Sequence, residues 1–216
     1  MYYLIFPWAE SNLMEFWREH PLPGYHRFGS WFMKQCAGIA RGLLSIHRPA
    51  NAGLGTVNRL KPLDAWMQQQ YGRHGDIKPE NILWFKEPPL GTLKISDFGL
   101  TRFHRLGAES HTNAAMVAMS PTYRPPETDI GRNLNQLFDI WTLGCLYADF
   151  ATWMLLGWQG VESFSDNRFR DGEEHGLIID DKFFVLVKEP SGNTSATVKP
   201  SVIKVRVSTR VSPIVS

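Results

Sequence analysis

Two short stretches of this chain combine residue types that can do chemistry together. The first is YGRHGDIKPENILWF, residues 71–85. Read physically, it is a polar loop with a carboxylate at Asp76, a cation two positions on at Lys78, a rigid Pro79, and an amide, Asn81, that opens an apolar strand. An acid, a cation and an amide this close can converge on one reacting group. The second is LKISDFGL, residues 93–100, in which Leu93 and Ile95 alternate with Lys94 and Ser96 as a strand requires. Asp97 follows at its exit, before a glycine that permits an unusual backbone turn, which makes Asp97 a candidate magnesium ligand. Taken singly, an Asp-x-Lys or an Asp-Phe-Gly reads as an ordinary surface turn.

The surrounding elements must position these groups. Met1–Ala9 reads as a strand ending near Pro7, and Leu13–Trp17 as a short helix behind Glu10-Ser11-Asn12. Phe32, Cys36, Ile39, Leu43 and Ile46 recur at helical spacing from Phe28 onward, which predicts a helix ending near His47. Residues 48–61 read as a loop, with a turn of helix over 64–70. Asn81–Phe85 and Thr92–Ile95, separated by Pro88, Pro89 and Gly91, predict a small hairpin. Residues 100–128 look irregular. The Leu137–Leu156 region is apolar on every side, which predicts a buried helix. The acid-rich stretch 162–181 reads as an exposed loop, and Ile203, Val205 and Val207 alternate with polar residues as a strand with no evident partner.

Composition bounds the class. The 216 residues are 43% hydrophobic and 20% charged, enough for a sizeable core and too few charges for a disordered polyelectrolyte. Lys and Arg number 23 against 21 Asp and Glu, a balance that gives no electrostatic reason to expect nucleic acid or an anionic membrane as the main partner. Cys36 and Cys145 are too few for a disulfide scaffold or a four-ligand zinc site and fit a reducing, intracellular compartment. The opening apolar run has no basic segment before it and meets Glu10 early, which argues against a signal peptide. The apolar block 140–161 carries Asp149 within it, which argues against a membrane span.

Together with SPTYRPPE, residues 120–127, and DIWTLGC, residues 139–145, the two stretches resemble the eukaryotic protein kinase family. HGDIKPEN is similar to that family's catalytic loop, Asp97-Phe98-Gly99 matches its magnesium-binding motif, and RPPE stands for its Ala-Pro-Glu motif. The resemblance implies an α+β, mainly α fold: the C-terminal lobe of a kinase with a small β hairpin, and no N-terminal lobe within this chain. It implies an ATP-dependent serine/threonine kinase of intracellular, cytoplasmic or nuclear location that acts on a protein substrate, with no nucleic acid or membrane partner. Asp76 would orient the substrate hydroxyl and accept its proton, Lys78 would neutralise charge on the transferring phosphoryl group, and Asn81 and Asp97 would hold Mg²⁺. Phe6 would be the gatekeeper, with the backbone of Pro7 and Ala9 meeting adenine. Ser120 takes the place of a hydroxyl in the substrate-facing loop, and Asp139 that of a buried acid that caps the catalytic loop.

The departures are as informative. No Gly-rich loop, paired lysine or helix glutamate of the family precedes the segment around Phe6. The catalytic-loop arginine is replaced by Gly75, so hydroxyls such as Thr101, Ser110 and Thr112 lose the obvious cation through which phosphorylation would order them, a part that Arg102 or Arg105 could take instead. The late arginine that would pair with Glu127 has no counterpart. Residues 1–187 therefore read as a partial kinase domain and 188–216 as a disordered or aberrant tail. The alternative is a catalytically inactive, pseudokinase-like interaction lobe.

Overall fold

The computed structural model describes residues 6–23, 25–48, 70–105, 120–131, 135–174 and 180–204. The chain enters as an extended, exposed segment in which Phe6 is 76% and Trp8 89% accessible. Residues 6–9 thus form no strand, and residues 1–5 of that expected strand lie outside the described residues. Pairing starts at β1 (Ser11–Asn12), antiparallel to β3 (Ile82–Phe85), which in turn pairs with β4 (Thr92–Ile95). Helix α1 (Leu13–Glu19) begins where the sequence carries a capping box. The Asn12 side chain accepts the Glu15 amide at 3.0 Å, and the Glu15 carboxylate accepts the Asn12 amide at 3.3 Å.

Helix α2 (Tyr25–His47) has the apolar stripe that its spacing predicted, and its Phe28, Trp31, Ile39 and Leu43 are buried. Residues 49–69, with the expected loop and most of the expected turn of helix, lie outside the described residues. Gln70, read as the end of that helix, instead opens β2 (Gln70–Arg73), which pairs antiparallel with β5 (Arg102–Arg105). The stretch read as irregular from residue 100 therefore begins with a strand. Its partner lies upstream of the catalytic-loop motif, too far away in sequence for local pattern to reveal.

Helix α3 (Leu137–Glu174) is the spine of the molecule. Its Leu146, Phe150 and Trp153 are fully buried against Leu13, Phe16 and Trp17 of α1 and Ile39 and Leu43 of α2. Each such side chain contributes roughly 1.5–3 kcal/mol by leaving water. The helix is not buried all round: Leu137 and Ile140 are 63% and 52% exposed. It also covers residues 162–174 of the acid-rich stretch 162–181 expected to be a loop, of which residues 175–179 lie outside the described residues. Val161, Phe164 and Arg168 face inward there while Glu162 and Asp166 face solvent, so the charge density that suggested a loop is one side of an amphipathic helix. By length and hydropathy alone residues 137–172 would suffice to cross a bilayer, a property the sequence reading had denied them. In the fold their buried face is taken by α1, α2 and the aromatic side chains that follow the helix.

Past residue 187 the chain stays ordered in two strands. Strands β6 (Phe184–Lys188) and β7 (Thr194–Val198) form an antiparallel hairpin that turns at Gly192, followed by the short α4 (Pro200–Ile203). The boundary drawn at 187 falls inside β6, and residues 188–204, read as a tail, carry the rest of the hairpin and α4, with Phe183 and Phe184 placed against Tyr123 and Trp141. Ile203, read as part of a strand, is helical, and residues 205–216 lie outside the described residues.

Two glycines on α3 separate conformational need from mere tolerance. Gly157 breaks the helix at φ 73°, and a Cβ there would lie 2.1 Å from the Pro21 carbonyl oxygen, which accepts the Trp158 amide at 2.9 Å. At Gly144 an added Cβ meets nothing within 4 Å. Gly157→Ala should therefore lower the urea midpoint, by an equivalent of about 1–3 kcal/mol. Gly144→Ala should raise it by up to ~1 kcal/mol through helix propensity. Both are read by circular dichroism, and equal midpoints for the two variants would refute the distinction.

Candidate active site

The loop between β2 and β3 is held from below by one carboxylate. Asp139, in the first turn of α3 and fully buried, accepts the amides of His74 (2.7 Å) and Gly75 (2.8 Å), one on each oxygen. His47 Nε2 at the end of α2 donates to the same group at 2.8 Å. Gln136 sits one turn earlier and donates to the carbonyls of His47 (2.8 Å) and Gly72 (3.2 Å). The ends of α2, β2 and α3 thus meet at one polar junction. Gly75 has φ 87°, and a Cβ there would lie 3.2 Å from the Leu100 carbonyl. A glycine suits that conformation, which gives the replacement of the family's arginine a local physical basis.

His74 is completely buried and orders the next turn. Its Nδ1 accepts the Asp76 amide at 3.3 Å, so Nε2 carries the proton and donates to the Ser96 carbonyl at 3.0 Å. Sequence reading did not single out His74 or His47. A histidine that points inward leaves no periodic signal.

Above this base, Asp76, Lys78 and Asn81 come together. Lys78 Nζ lies 2.8 Å from Asp76 Oδ2, and Asn81 Nδ2 donates to that oxygen and to the Asp76 carbonyl, each at 2.8 Å. Pro79–Asn81 form a single 3-10 turn, which returns Asn81 beneath Asp76. The side-chain nitrogen of Asn81 is therefore spent on Asp76, which leaves the side-chain oxygen Oδ1 as the oxygen available to a cation.

Asp97 reaches the same place through the hairpin register. Ile82 faces Ile95, and beyond that pair the Ser96 amide and hydroxyl both donate to the Asn81 carbonyl at 2.9 Å. Asp97 is next along the strand. It is a non-glycine residue at φ 60°, with one carboxylate oxygen taking the Gly99 amide at 3.1 Å. Such left-handed backbone is sparsely populated by non-glycine residues and persists where the surroundings impose it. Phe98 lies with its ring 5.4 Å from that of His74. An exposed carboxylate beside an amide oxygen is a hard-oxygen donor set suited to Mg²⁺.

Phe6, Pro7 and Ala9 sit apart from this cluster, on the entering segment, which is tied to the hairpin by the Glu10 amide on the Trp84 carbonyl at 3.0 Å. Ser120 opens the turn that leads to Tyr123. Thr101 lies at the exit of the Phe98–Leu100 turn, and Ser110 and Thr112 are outside the described residues. Neither cysteine offers a thiolate. Burial pushes the Cys36 thiol up to about 11 and raises that of Cys145 as well.

A model of the protein kinase domain matches residues 65–182, a little over half of the chain, and that span holds the whole Asp76–Asp97 cluster. The chain belongs to the protein kinase family. Its relatives carry kinase names, one of them that of a serine/threonine-protein kinase. It is 31% identical over 152 residues to "Probable cyclin-dependent kinase 8" of Dictyostelium discoideum, an alignment covering 69% of this chain and 34% of that protein. It is 26% identical over 152 residues to "Serine/threonine-protein kinase SSN3" of Coccidioides immitis (strain RS), covering 69% of this chain and 27% of that protein. With human "Cyclin-dependent kinase 14" it shares 26% identity over 162 residues, 74% of this chain and 27% of that protein. This kinase-family chain thus spans about a third or less of the length of these relatives.

A second polar cluster, invisible in the sequence, holds the Ser120–Thr128 stretch against the hairpin. Tyr123 Oη donates to Asp149 Oδ2 at 2.6 Å, and Arg168 meets Asp149 Oδ1 at 3.2 Å while stacked between Phe164 and Phe183. Burial, and after it the Asp149 charge, push the Tyr123 phenol well up, so it remains the donor. Thr122 donates to Asp181 at 2.7 Å. Lys182 bridges Asp129 (2.9 Å) and Asp180 (2.8 Å), and the buried Lys199 ammonium donates to the carbonyls of Arg168 and Asp180. Burial works to raise the Asp180 carboxyl, but its hydrogen bonds to Lys182 and Lys199 outweigh that and hold it below the usual carboxylate value. A group depressed in the folded state adds stability above its unfolded pKa and loses it as pH falls through the folded value. Hairpin docking should therefore weaken below about pH 4. Between pH 6 and pH 2.5, Asp180→Asn should lose less stability to denaturant than the parent chain, and equal losses would show that Asp180 does not carry the acid limb.

Proposed function

We propose that this chain carries the phosphoryl-transfer site of an ATP-dependent protein serine/threonine kinase, with a protein hydroxyl as acceptor and an intracellular location. The observation that supports this most directly is the Asp76 carboxylate gripped at 2.8 Å by both Lys78 Nζ and Asn81 Nδ2. A carboxylate so held has one orientation in which to receive a proton. In this reading Asp76 aligns the acceptor hydroxyl and takes its proton as the oxygen attacks phosphorus. Lys78, a point charge with three donors, swings from Asp76 to the transferring phosphoryl oxygens and offsets the charge that builds on them. Asn81, through its side-chain Oδ1, and Asp97 would hold Mg²⁺, which draws charge from the phosphates when bound. The entering segment would supply the nucleotide edge, with Phe6 as gatekeeper and the backbone of Pro7 and Ala9 toward adenine. The catalytic domain is proposed to include the segment to residue 187 and the β6–β7 hairpin packed on it.

The site retains Asp76 and Asp97, the two acids whose loss would have favoured a purely interacting lobe. Gly75 makes a further statement possible. With Gly75 in place of the catalytic-loop arginine, a phosphate on the following segment loses the cation that this position would supply, and activity is proposed not to depend on such a phosphate.

The test is transfer of labelled phosphate from MgATP to serine- and threonine-containing peptides, compared between the parent chain and Asp76→Asn. A fall of about 10²–10⁴ is expected from loss of the proton acceptor. Phosphatase treatment of the enzyme beforehand should leave the parent rate unchanged. Transfer that survives in Asp76→Asn would remove the assignment, and transfer abolished by phosphatase would overturn the role given to Gly75.

A further inference from the structure

A cavity of about 430 Å³ lies between the first turns of α3 and the end of the hairpin, away from the Asp76 cluster. That volume falls within the ~300–1,000 Å³ typical of small-molecule sites. Its walls are almost wholly apolar, among them Ile140, Ala148, Phe183, Val198 and Val202, and Leu137 and Ile140 are the half-exposed apolar side chains of α3 noted above. Two polar side chains line it, Glu127 and Trp141. Glu127 Oε2 and Trp141 Nε1 are each buried with no hydrogen-bond partner.

An unpaired carboxylate oxygen in apolar surroundings is costly, and a cation relieves it most effectively. Among the described residues the basic side chains of this region are engaged elsewhere, although Arg124 Nε has no hydrogen-bond partner. Arg124 is paired with Asp129, Lys182 bridges Asp129 and Asp180, and Lys199 is spent on Asp180 and two carbonyls. The open cavity therefore offers an acceptor that wants positive charge, a donor that wants an acceptor, and an apolar wall for the rest. We propose that it binds a small organic cation with an aromatic or branched apolar body, its ammonium on Glu127 and a hydroxyl or carbonyl oxygen toward the Trp141 indole. The site is independent of the kinase reading, because no residue of the Asp76 cluster lines it.

Phenylethanolamine has this chemistry. Styrene glycol replaces its ammonium by a neutral hydroxyl, and mandelate replaces it by a carboxylate. Each is titrated into the full chain while the methyl resonances of Ile140, Val198 and Val202 are followed by NMR. Phenylethanolamine is expected to shift these methyls and to bind at least about tenfold more tightly than styrene glycol, a margin of the size expected for a charge-assisted hydrogen bond. Mandelate should not bind. Glu127→Gln should bring phenylethanolamine down to the level of the diol. Gly144→Leu fills space in which an added Cβ meets nothing, keeps α3 intact, and should abolish binding of both. Equal affinities for amine and diol, full affinity in Glu127→Gln, or shifts that persist in Gly144→Leu would each overturn the proposal, as would no shift at all in the parent chain.

Discussion

The architecture hangs on the carboxylate of Asp139. A buried charge is tolerable only when its lone pairs are filled, and here three donors from two other parts of the chain fill them: the amides of His74 and Gly75 and the imidazole of His47. Those amides belong to a loop that turns too sharply to satisfy them by itself. The acid therefore sets the path of the backbone immediately before Asp76. His74 continues the chain of dependence, since its ring joins the Asp76 amide to the Ser96 carbonyl and so relates the loop to the strand that ends at Asp97.

Helix α3 carries a second buried acid, Asp149, which does for the Tyr123 stretch what Asp139 does for the loop. Asp149 engages Tyr123 and Arg168, and the backbone around Arg168 and Asp180 in turn receives the Lys199 ammonium. One helix thus supports two irregular segments through two carboxylates, while its apolar face meets α1 and α2. Irregular backbone needs this kind of polar support, because it has no ladder in which to place its hydrogen bonds.

Legibility in the sequence followed the range of the interactions. Helix α2 and the β3–β4 hairpin repeat at short period and were readable, and α1 was marked at its start by Glu10-Ser11-Asn12. The cluster of Asp76, Lys78 and Asn81 lies within six residues, so its convergence could be anticipated from spacing. The β2–β5 pair could not, because its strands are separated by the whole loop and hairpin. The helical course of 162–174 was hidden by its acids, and the hairpin after Phe183 by a composition rich in Ser, Thr and Val. Glu127 Oε2 has no hydrogen-bond partner among the described residues.

The contact between α2 and the hairpin has a consequence for association. Strand β4 is the outer strand of the β1-β3-β4 sheet, and such an edge presents amides that a foreign strand can pair with. Gln35, buried on α2, accepts the Leu93 amide at 2.8 Å, and Trp31 donates its indole proton to the Gly91 carbonyl at 2.7 Å. Side chains of a helix thus occupy backbone groups that would otherwise be open to a second molecule. The edge is closed by the same helix whose far end holds Asp139, so loosening α2 would unsettle the loop and bare a sticky strand at once, making aggregation a companion of lost geometry at the site.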